Sequence, residues 1–261
     1  MSSEIQKDAA IGIIGTGNIA RILGDSLCEA GIKINTLYSR NPAKARGLAK
    51  RWDCRVQSSG KGIFGDDILF FCVPDDIIPV LASAEIPHET LCIHTSGTTP
   101  ISVFKQKNAA VMWPLQTFSS ADDQNALLKD GPLLVEGSNR HTLSFIKKLA
   151  RQLSDMVVVS HSEERAALHL AAVFSCNFTN HMYAIAEGIC RSQKTDFSVL
   201  SPLILKTALR TLYISPGDAQ TGPAYRRDKK TIHRHLDALS GQAEIKNVYK
   251  SVTNSIFALY K

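Results

Sequence analysis

Over the first 160 residues, short apolar runs alternate with stretches of helical spacing. Ala9–Ile14, Ile34–Tyr38 and Ile68–Val73 are apolar and bounded by turn residues, the pattern of buried strands. Between them, Asn18–Ala30 carries apolar residues at helical spacing and closes at Gly31, a natural residue for the position after a helix. Pro42–Trp52 predicts a second helix, and Asp75–Ser83 a helical turn. Thr90–His94, Ala109–Met112, Pro132–Val135 and Met156–Ser160 continue the strand series, with a helix at Leu143–Leu153 between the last two. This alternation predicts an α/β fold with a doubly wound, mainly parallel sheet.

After Ser160 the pattern changes. Glu163–Ser192 contains no proline and one glycine, which predicts a helix of about 30 residues and, at roughly 1.5 Å per residue, about 45 Å. Phe197–Tyr213, Asp228–Leu239 and Ile245–Leu259 are further helical stretches, separated by Ser215-Pro216-Gly217 and by Gly241. No strand pattern occurs there. Two domains are expected, 1–160 and an all-helical 161–261, without internal repeats.

Composition narrows the class. With 44% hydrophobic and 21% charged residues in 261, the chain can bury a sizeable core and is neither disordered nor a coiled coil. No run approaches the roughly 20 apolar residues needed to span a bilayer. Met1 is followed by Ser2, Ser3 and Glu4 without an apolar core, so no secretory signal is expected. The six cysteines form no C-x-x-C pair, and reduced thiols in a cytoplasmic protein without a metal centre account for them. The net charge is +6. Its densest basic run, Arg226, Arg227, Lys229 and Lys230, lacks interleaved aromatics. That argues against nucleic acid and suits phosphorylated cofactors or carboxylate substrates.

Gly15-Thr16-Gly17-Asn18-Ile19-Ala20 follows an apolar strand and opens a helix. In that context the G-x-G-x-x-A string is a dinucleotide fingerprint. Gly15 permits the tight turn, Gly17 lets backbone approach a pyrophosphate, and Ala20 allows close helix–strand packing. The helix N-terminus then faces the phosphate charge. A site for NAD carries an acid at the end of the second strand, where it binds the ribose 2′-hydroxyl. Here Ser39-Arg40-Asn41 stands there, 24 positions after Gly15, with Lys44 and Arg46 nearby. No carboxylate is present to repel a 2′-phosphate, so NADP(H) is the expected cofactor, held by Ser39 and Arg40.

The fingerprint, Val73-Pro74-Asp75 after the strand at 68–73, and a helical C-terminal region resemble the pyrroline-5-carboxylate reductase and β-hydroxyacid dehydrogenase superfamily. The likeness is greatest to a bacterial branch that pairs a Rossmann-like domain with a helical domain of unknown function. His94-Thr95-Ser96-Gly97, Pro114-Leu115-Gln116-Thr117-Phe118 and Thr221-Gly222-Pro223-Ala224-Tyr225-Arg226-Arg227-Asp228 carry it, continued by Thr231-Ile232 and His235-Leu236. The resemblance implies a Rossmann-type NADP-binding domain contacting the nucleotide partly through Val73 and Pro74. It further implies an all-helical C-terminal domain like that of 6-phosphogluconate dehydrogenase, and a homodimer formed through that domain. It implies no particular substrate.

His94, Thr95, Ser96 and Gly97 end a buried strand, so they are expected at the carboxyl edge of the sheet, where ligands of open α/β sheets bind. Ser96-Gly97 is similar to the serine-glycine pair that contacts substrate in β-hydroxyacid dehydrogenases. Trp113 and Pro114 end the next strand and can wall the same pocket. At about 100° per residue, His169, Cys176, Asn180 and Glu187 fall on one stripe of the long helix. Asn177 borders it, and Phe174, Phe178 and Met182 lie opposite. His169 can move a proton, and Asn177 or Asn180 can orient a carbonyl. A helix exposing its polar side to solvent or to a dimer mate gives the same stripe. The family's catalytic lysine is missing, since Ala166–Cys190 contains no lysine. Arg226 can grip a substrate carboxylate through its planar fork, and Asp228 caps the following helix.

The expected function is an NADP-dependent oxidoreductase reducing a small carbonyl or imine, with Ser96, His94, His169 and Asn180 as candidate catalytic groups. Gly97, Trp113, Pro114, Asn177 and Arg226 are the candidate substrate contacts. A deazaflavin-linked NADP oxidoreductase and a non-catalytic NADP-binding sensor remain as alternatives.

Overall fold

The apolar runs pair as one sheet in the computed structural model, which describes residues 9–59, 64–118 and 127–260. Met1–Glu4, on which the absence of a secretory signal is expected, lie outside the described residues. The strands are β1 (Ile11–Ile14), β2 (Thr36–Ser39), β3 (Arg55–Ser58), β4 (Ile68–Phe71), β5 (Leu91–His94), β6 (Ala109–Pro114), β7 (Leu133–Gly137) and β8 (Val157–Val159). Their order is β3-β2-β1-β4-β5-β6-β7-β8. Strands β1 to β6 run parallel, as the βα alternation requires. Strand β7 turns antiparallel to β6, pairing Pro114 with Leu133 and Ala110 with Gly137. Strand β8 then runs parallel to β7.

Alternation within the strands splits the core into two layers. Ile11, Ile13, Phe70, Ile93, Ala110, Met112, Leu133 and Val135 face the side covered by helices α1 (Asn18–Glu29), α2 (Pro42–Arg51) and α4 (Arg140–Leu153). Ile14, Tyr38, Leu69, Phe71, Cys92 and Ala109 face the other side, with Phe64, Phe104 and the short helix α3 (Ile78–Ala82). The sequence predicts α3 from Asp75, but Pro79 lacks the amide that an interior helical position needs, so the helix starts just before it. Strand β3 is an edge strand the sequence pattern does not announce. Its Arg-Val-Gln-Ser alternates exposed and half-buried positions with only one apolar side chain.

Beyond β8 no described residue is in a strand. The stretch expected as one long helix contains α5 (Ser162–Ala172), a π-helical segment at Val173–Phe178, and α6 (Thr179–Ser192). The chain divides into two compact units inside that segment, one ending at Asn177 and the other starting at Phe178. The second unit continues with α7 (Ser201–Arg210), α8 (Lys229–Ala238) and α9 (Ala243–Leu259). Helix α7 begins at Ser201 because Pro202 fits only the first turn; a 3-10 turn precedes it. Asp228 caps α8 by accepting from the Thr231 amide at 3.0 Å. Arg227, in the left-handed region at φ 54°, donates to the carbonyls of Phe257 and Tyr260 at the end of α9. No helix of the described residues is long and apolar enough to cross a membrane.

Candidate functional site

The carboxyl ends of β1, β4 and β5 lie side by side in the sheet, so the loops that follow them share one edge. After β1, Gly15 adopts φ +118°, and a Cβ on it would sit 2.1 Å from the Cys72 carbonyl oxygen. Only glycine fits there, on conformational and steric grounds together. The side chain of Val73, just after β4, borders the same point at 3.3 Å. Gly17 caps α1 in extended conformation with no side-chain hydrogen bond, and the first turn of α1 has no acid. A Cβ on Gly17 would meet nothing within 4 Å. The first amides of α1, at Asn18, Ile19 and Ala20, stand at the positive end of a helix dipole, beside the open position at Gly17. Thr16 and Ile19 are half-buried, Asn18 is exposed, and Ala20 is packed against the sheet. This cradle fits a pyrophosphate.

At the end of β2, Ser39 is buried, and its hydroxyl donates to the Asn41 carbonyl at 3.0 Å and accepts from the Asn41 amide at 3.1 Å. Asn41 in turn caps α2 through the amides of Ala43 and Lys44. These bonds shape the turn. They leave Arg40 exposed, with no ion pair to a described residue, and Lys44 and Arg46 also exposed. The groups able to meet a 2′-phosphate are thus cations. Pro74 is exposed at the head of the β4 loop.

After β5, His94 is fully buried, and its Nδ1 accepts from the Ser96 amide at 3.2 Å. The ring proton is assigned to Nε2 from that bond. Burial, with the Arg165 cation adding to it, pushes the His94 pKa down to about 3, so the imidazole is neutral at pH 7. The Ser96 hydroxyl accepts from the amides of Thr98 and Thr99 at 3.1 and 2.9 Å, a turn closed by its own side chain. Gly97 sits so close beneath two rings that a Cβ would lie 2.7 Å from Trp113 and 2.8 Å from His169. Pro114 ends β6 next to Trp113 and is buried.

Five of the candidate residues, His94, Ser96, Gly97, Trp113 and His169, thus form one cluster in the first unit. Asn177 is exposed in the π-helical segment. Asn180 and Arg226 are exposed residues of the second unit. The wider winding of a π-helix changes the angle per residue, so the 100° spacing that aligned His169 with Asn180 does not carry across Val173–Phe178.

Sequence reasoning missed the group beneath the cluster. Arg165 is 1% exposed and bonds through one guanidinium nitrogen to Glu136 of β7. The other donates to the Thr99 carbonyl at 2.7 Å and to Ser162 Oγ at 3.3 Å. Ser162 Oγ donates to Glu136 at 2.9 Å and accepts from the Ile101 amide at 3.3 Å. Thr98 Oγ1 donates to Asp75 in the loop after β4. A signal was available: Glu136 is the one charge in an otherwise apolar strand, Leu-Leu-Val-Glu-Gly. Among the described residues no group of three or more His, Cys, Asp or Glu is placed to hold a metal ion.

Residues 10–96 match the family described as NADP oxidoreductase, coenzyme F420-dependent, and residues 131–256 match a domain of unknown function, DUF2520. No curated protein matches the chain. Among solved structures, BF3122 of Bacteroides fragilis, a candidate NADP oxidoreductase, is 33% identical over 97% of this chain and 99% of its own, with a TM-score of 0.84. A reductive aminase from Aspergillus terreus in complex with NADPH and ethyl-5-oxohexanoate shares the fold at 14% identity. It spans 96% of this chain and 98% of its own, with a TM-score of 0.70. An imine reductase from Myxococcus stipitatus in complex with NADP+ does so at 14% identity over 95% and 92%, with a TM-score of 0.62.

Proposed function

Because the chain belongs to the same family as the Bacteroides protein, joining an NADP-oxidoreductase domain to a DUF2520 domain, we propose that it is an NADP-dependent oxidoreductase reducing a small carbonyl or imine substrate. The observation that carries this reading is the open cradle at Gly15 and Gly17, paired with an exposed Arg40 where an NAD site needs an acid. The amides of Asn18 to Ala20 hold the pyrophosphate, and Arg40 holds the 2′-phosphate. Ser39 contributes by shaping the turn that presents Arg40. When bound, NADPH supplies a hydride.

Substrate lies against Trp113 and Gly97, whose missing side chain leaves the two rings in contact with the loop. His169 is the group in the cluster suited to pass a proton, being half-buried rather than sealed. His94 is a positioning group in this reading, since a buried, neutral imidazole that accepts from the Ser96 amide sets the loop. Asn177, Asn180 and Arg226 are proposed substrate contacts from the helical part, Pro114 a wall behind Trp113, and Val73 and Pro74 contacts to the nucleotide. The chain acts in the cytoplasm as a homodimer formed through its helical domain. Exposed Leu203, Leu205 and Leu209 on α7 support the dimer, and six free cysteines a reducing compartment.

Titration with NADPH and NADH, followed by nucleotide fluorescence, tests the reading. NADPH is expected to bind at least about tenfold tighter, and Arg40→Asp to abolish that preference. Binding of neither nucleotide would remove the proposal. A second reading, an NADP-binding sensor without turnover, is favoured by the engaged hydroxyl of Ser96 and the neutral His94. NADPH binding with no oxidation across a panel of ketones, aldehydes and cyclic imines would select it. The F420-dependent description of the family matching residues 10–96 keeps a deazaflavin as hydride partner, tested by adding oxidised deazaflavin to the NADPH complex.

A further inference from the structure

We propose that Arg165 is a positioning residue: anchored by Glu136, it holds the Thr99 carbonyl and so sets the height at which the Ser96–Thr99 loop carries Gly97 against Trp113 and His169. Arg165 and His169 are four residues apart on α5 and therefore lie on one face, a turn from each other. Arg165 grips the end of the loop at Thr99, and His169 touches its middle at Gly97. Glu136 fixes the guanidinium from β7, and Ser162 joins the same carboxylate while receiving the Ile101 amide. Thr98 is tied to Asp75 on the other side. The loop is thereby clamped between the β4 loop and α5. Its turn is closed internally by Ser96 and supported from below by His94.

A planar fork is needed for this task. One guanidinium nitrogen serves Glu136 while the other serves Thr99 and Ser162, an arrangement a lysine ammonium on a flexible stem does not reproduce. A purely structural ion pair would need only Glu136. The bond to a loop carbonyl ties the pair to the site.

The part of this inference that concerns nucleotide rests on the proposed function, and the test separates the two. In a Trp52→Phe background, Trp113 is the remaining tryptophan and reports the cluster without any ligand. Removing one partner of a buried pair can unfold a protein, so Arg165→Lys and the double variant Glu136→Gln/Arg165→Met are measured beside Arg165→Met. The expected result is a shifted Trp113 emission in all three. NADPH binding should weaken by about tenfold, while binding of 2′,5′-ADP, which lacks the nicotinamide half, stays within about twofold. In the double variant the melting temperature recovers but the Trp113 and NADPH changes persist. An unmoved Trp113 emission overturns the inference, as does parallel weakening of both nucleotides that recovers with the melting temperature. A shifted emission in a protein that binds no NADPH upholds the positioning role and sinks the proposed function instead.

Discussion

The Trp113 and His169 rings lie with centroids 5.8 Å apart and planes inclined at 42°, both resting on the backbone of Gly97. One residue from each of two distant segments meets a third that has no side chain. Space at Gly97 is the limiting quantity. Replacing it by alanine forces at least one ring to move, and overpacking of this kind costs about 1–3 kcal/mol. Gly97→Ala is expected to lower the melting temperature and shift Trp113 emission. An unchanged melt would mean the rings yield freely and the cluster is not tightly packed.

The two glycines of the fingerprint should behave oppositely. Gly15→Ala places a methyl 2.1 Å from the Cys72 carbonyl on a φ of +118°, so the protein should be strongly destabilised. Gly17→Ala meets nothing in the chain and has an ordinary φ of −78°. Its melting temperature should match the parent, while NADPH binding falls by about tenfold or more as the methyl intrudes on the pyrophosphate. If Gly17→Ala binds NADPH normally, the pyrophosphate does not lie over α1.

Acid should expose the buried imidazole. His94 has a pKa of about 3 in the fold against 6.5 ordinarily, so below pH 6.5 the unfolded chain takes up the proton first. Its contribution is complete above that pH and is lost as pH falls toward 3. Between pH 7 and pH 4.5 this loss amounts to about 3 kcal/mol. His94→Asn lowers stability at pH 7 but should show a shallower decline in urea unfolding across that range. Parallel declines for parent and variant would show that His94 is not what titrates.

Helix α7 presents Leu203 at 63% exposure, Leu205 at 62% and Leu209 at 55%. If the helical domain forms the dimer, sedimentation should give twice the chain mass. Leu205→Glu should return it to the 28.5 kDa chain, because a desolvated carboxylate in an apolar interface is costly. A parent that sediments at the single mass would dispose of the homodimer.

Periodicity and turn chemistry carry the strands, the glycine cradle and most helices, because those are properties of neighbouring residues. Strand β3 escaped because an edge strand buries little, and Arg-Val-Gln-Ser carries one apolar side chain. The π-helical winding at Val173–Phe178 escaped because its composition, Val-Phe-Ser-Cys-Asn-Phe, differs in no local way from an α-helix. Candidate residues His94, Ser96, Gly97 and Trp113 followed from strand ends. The clamp did not, since Arg165 and Glu136 are 29 positions apart and only the fold makes them neighbours. The distinction between a hydroxyl that is free and one already engaged, as at Ser39 and Ser96, is also invisible until the backbone is placed.

The reversal at β7 gives α5 the character of a ruler. Because β7 and β8 run against β1 to β6, the chain leaves the sheet at the edge opposite the loops that follow β1, β4 and β5 and must travel back. Helix α5 makes that return, passing Glu136 and Thr99 at Arg165 and reaching Gly97 at His169. Its length sets the distance and its phase sets the aim. One residue inserted between Arg165 and His169 would advance the imidazole by about 1.5 Å and turn it by about 100°, carrying it off Trp113. Lengthening within this helix is therefore not tolerable, and the four-residue interval between the clamp and the imidazole is a dimension that the sheet itself imposes.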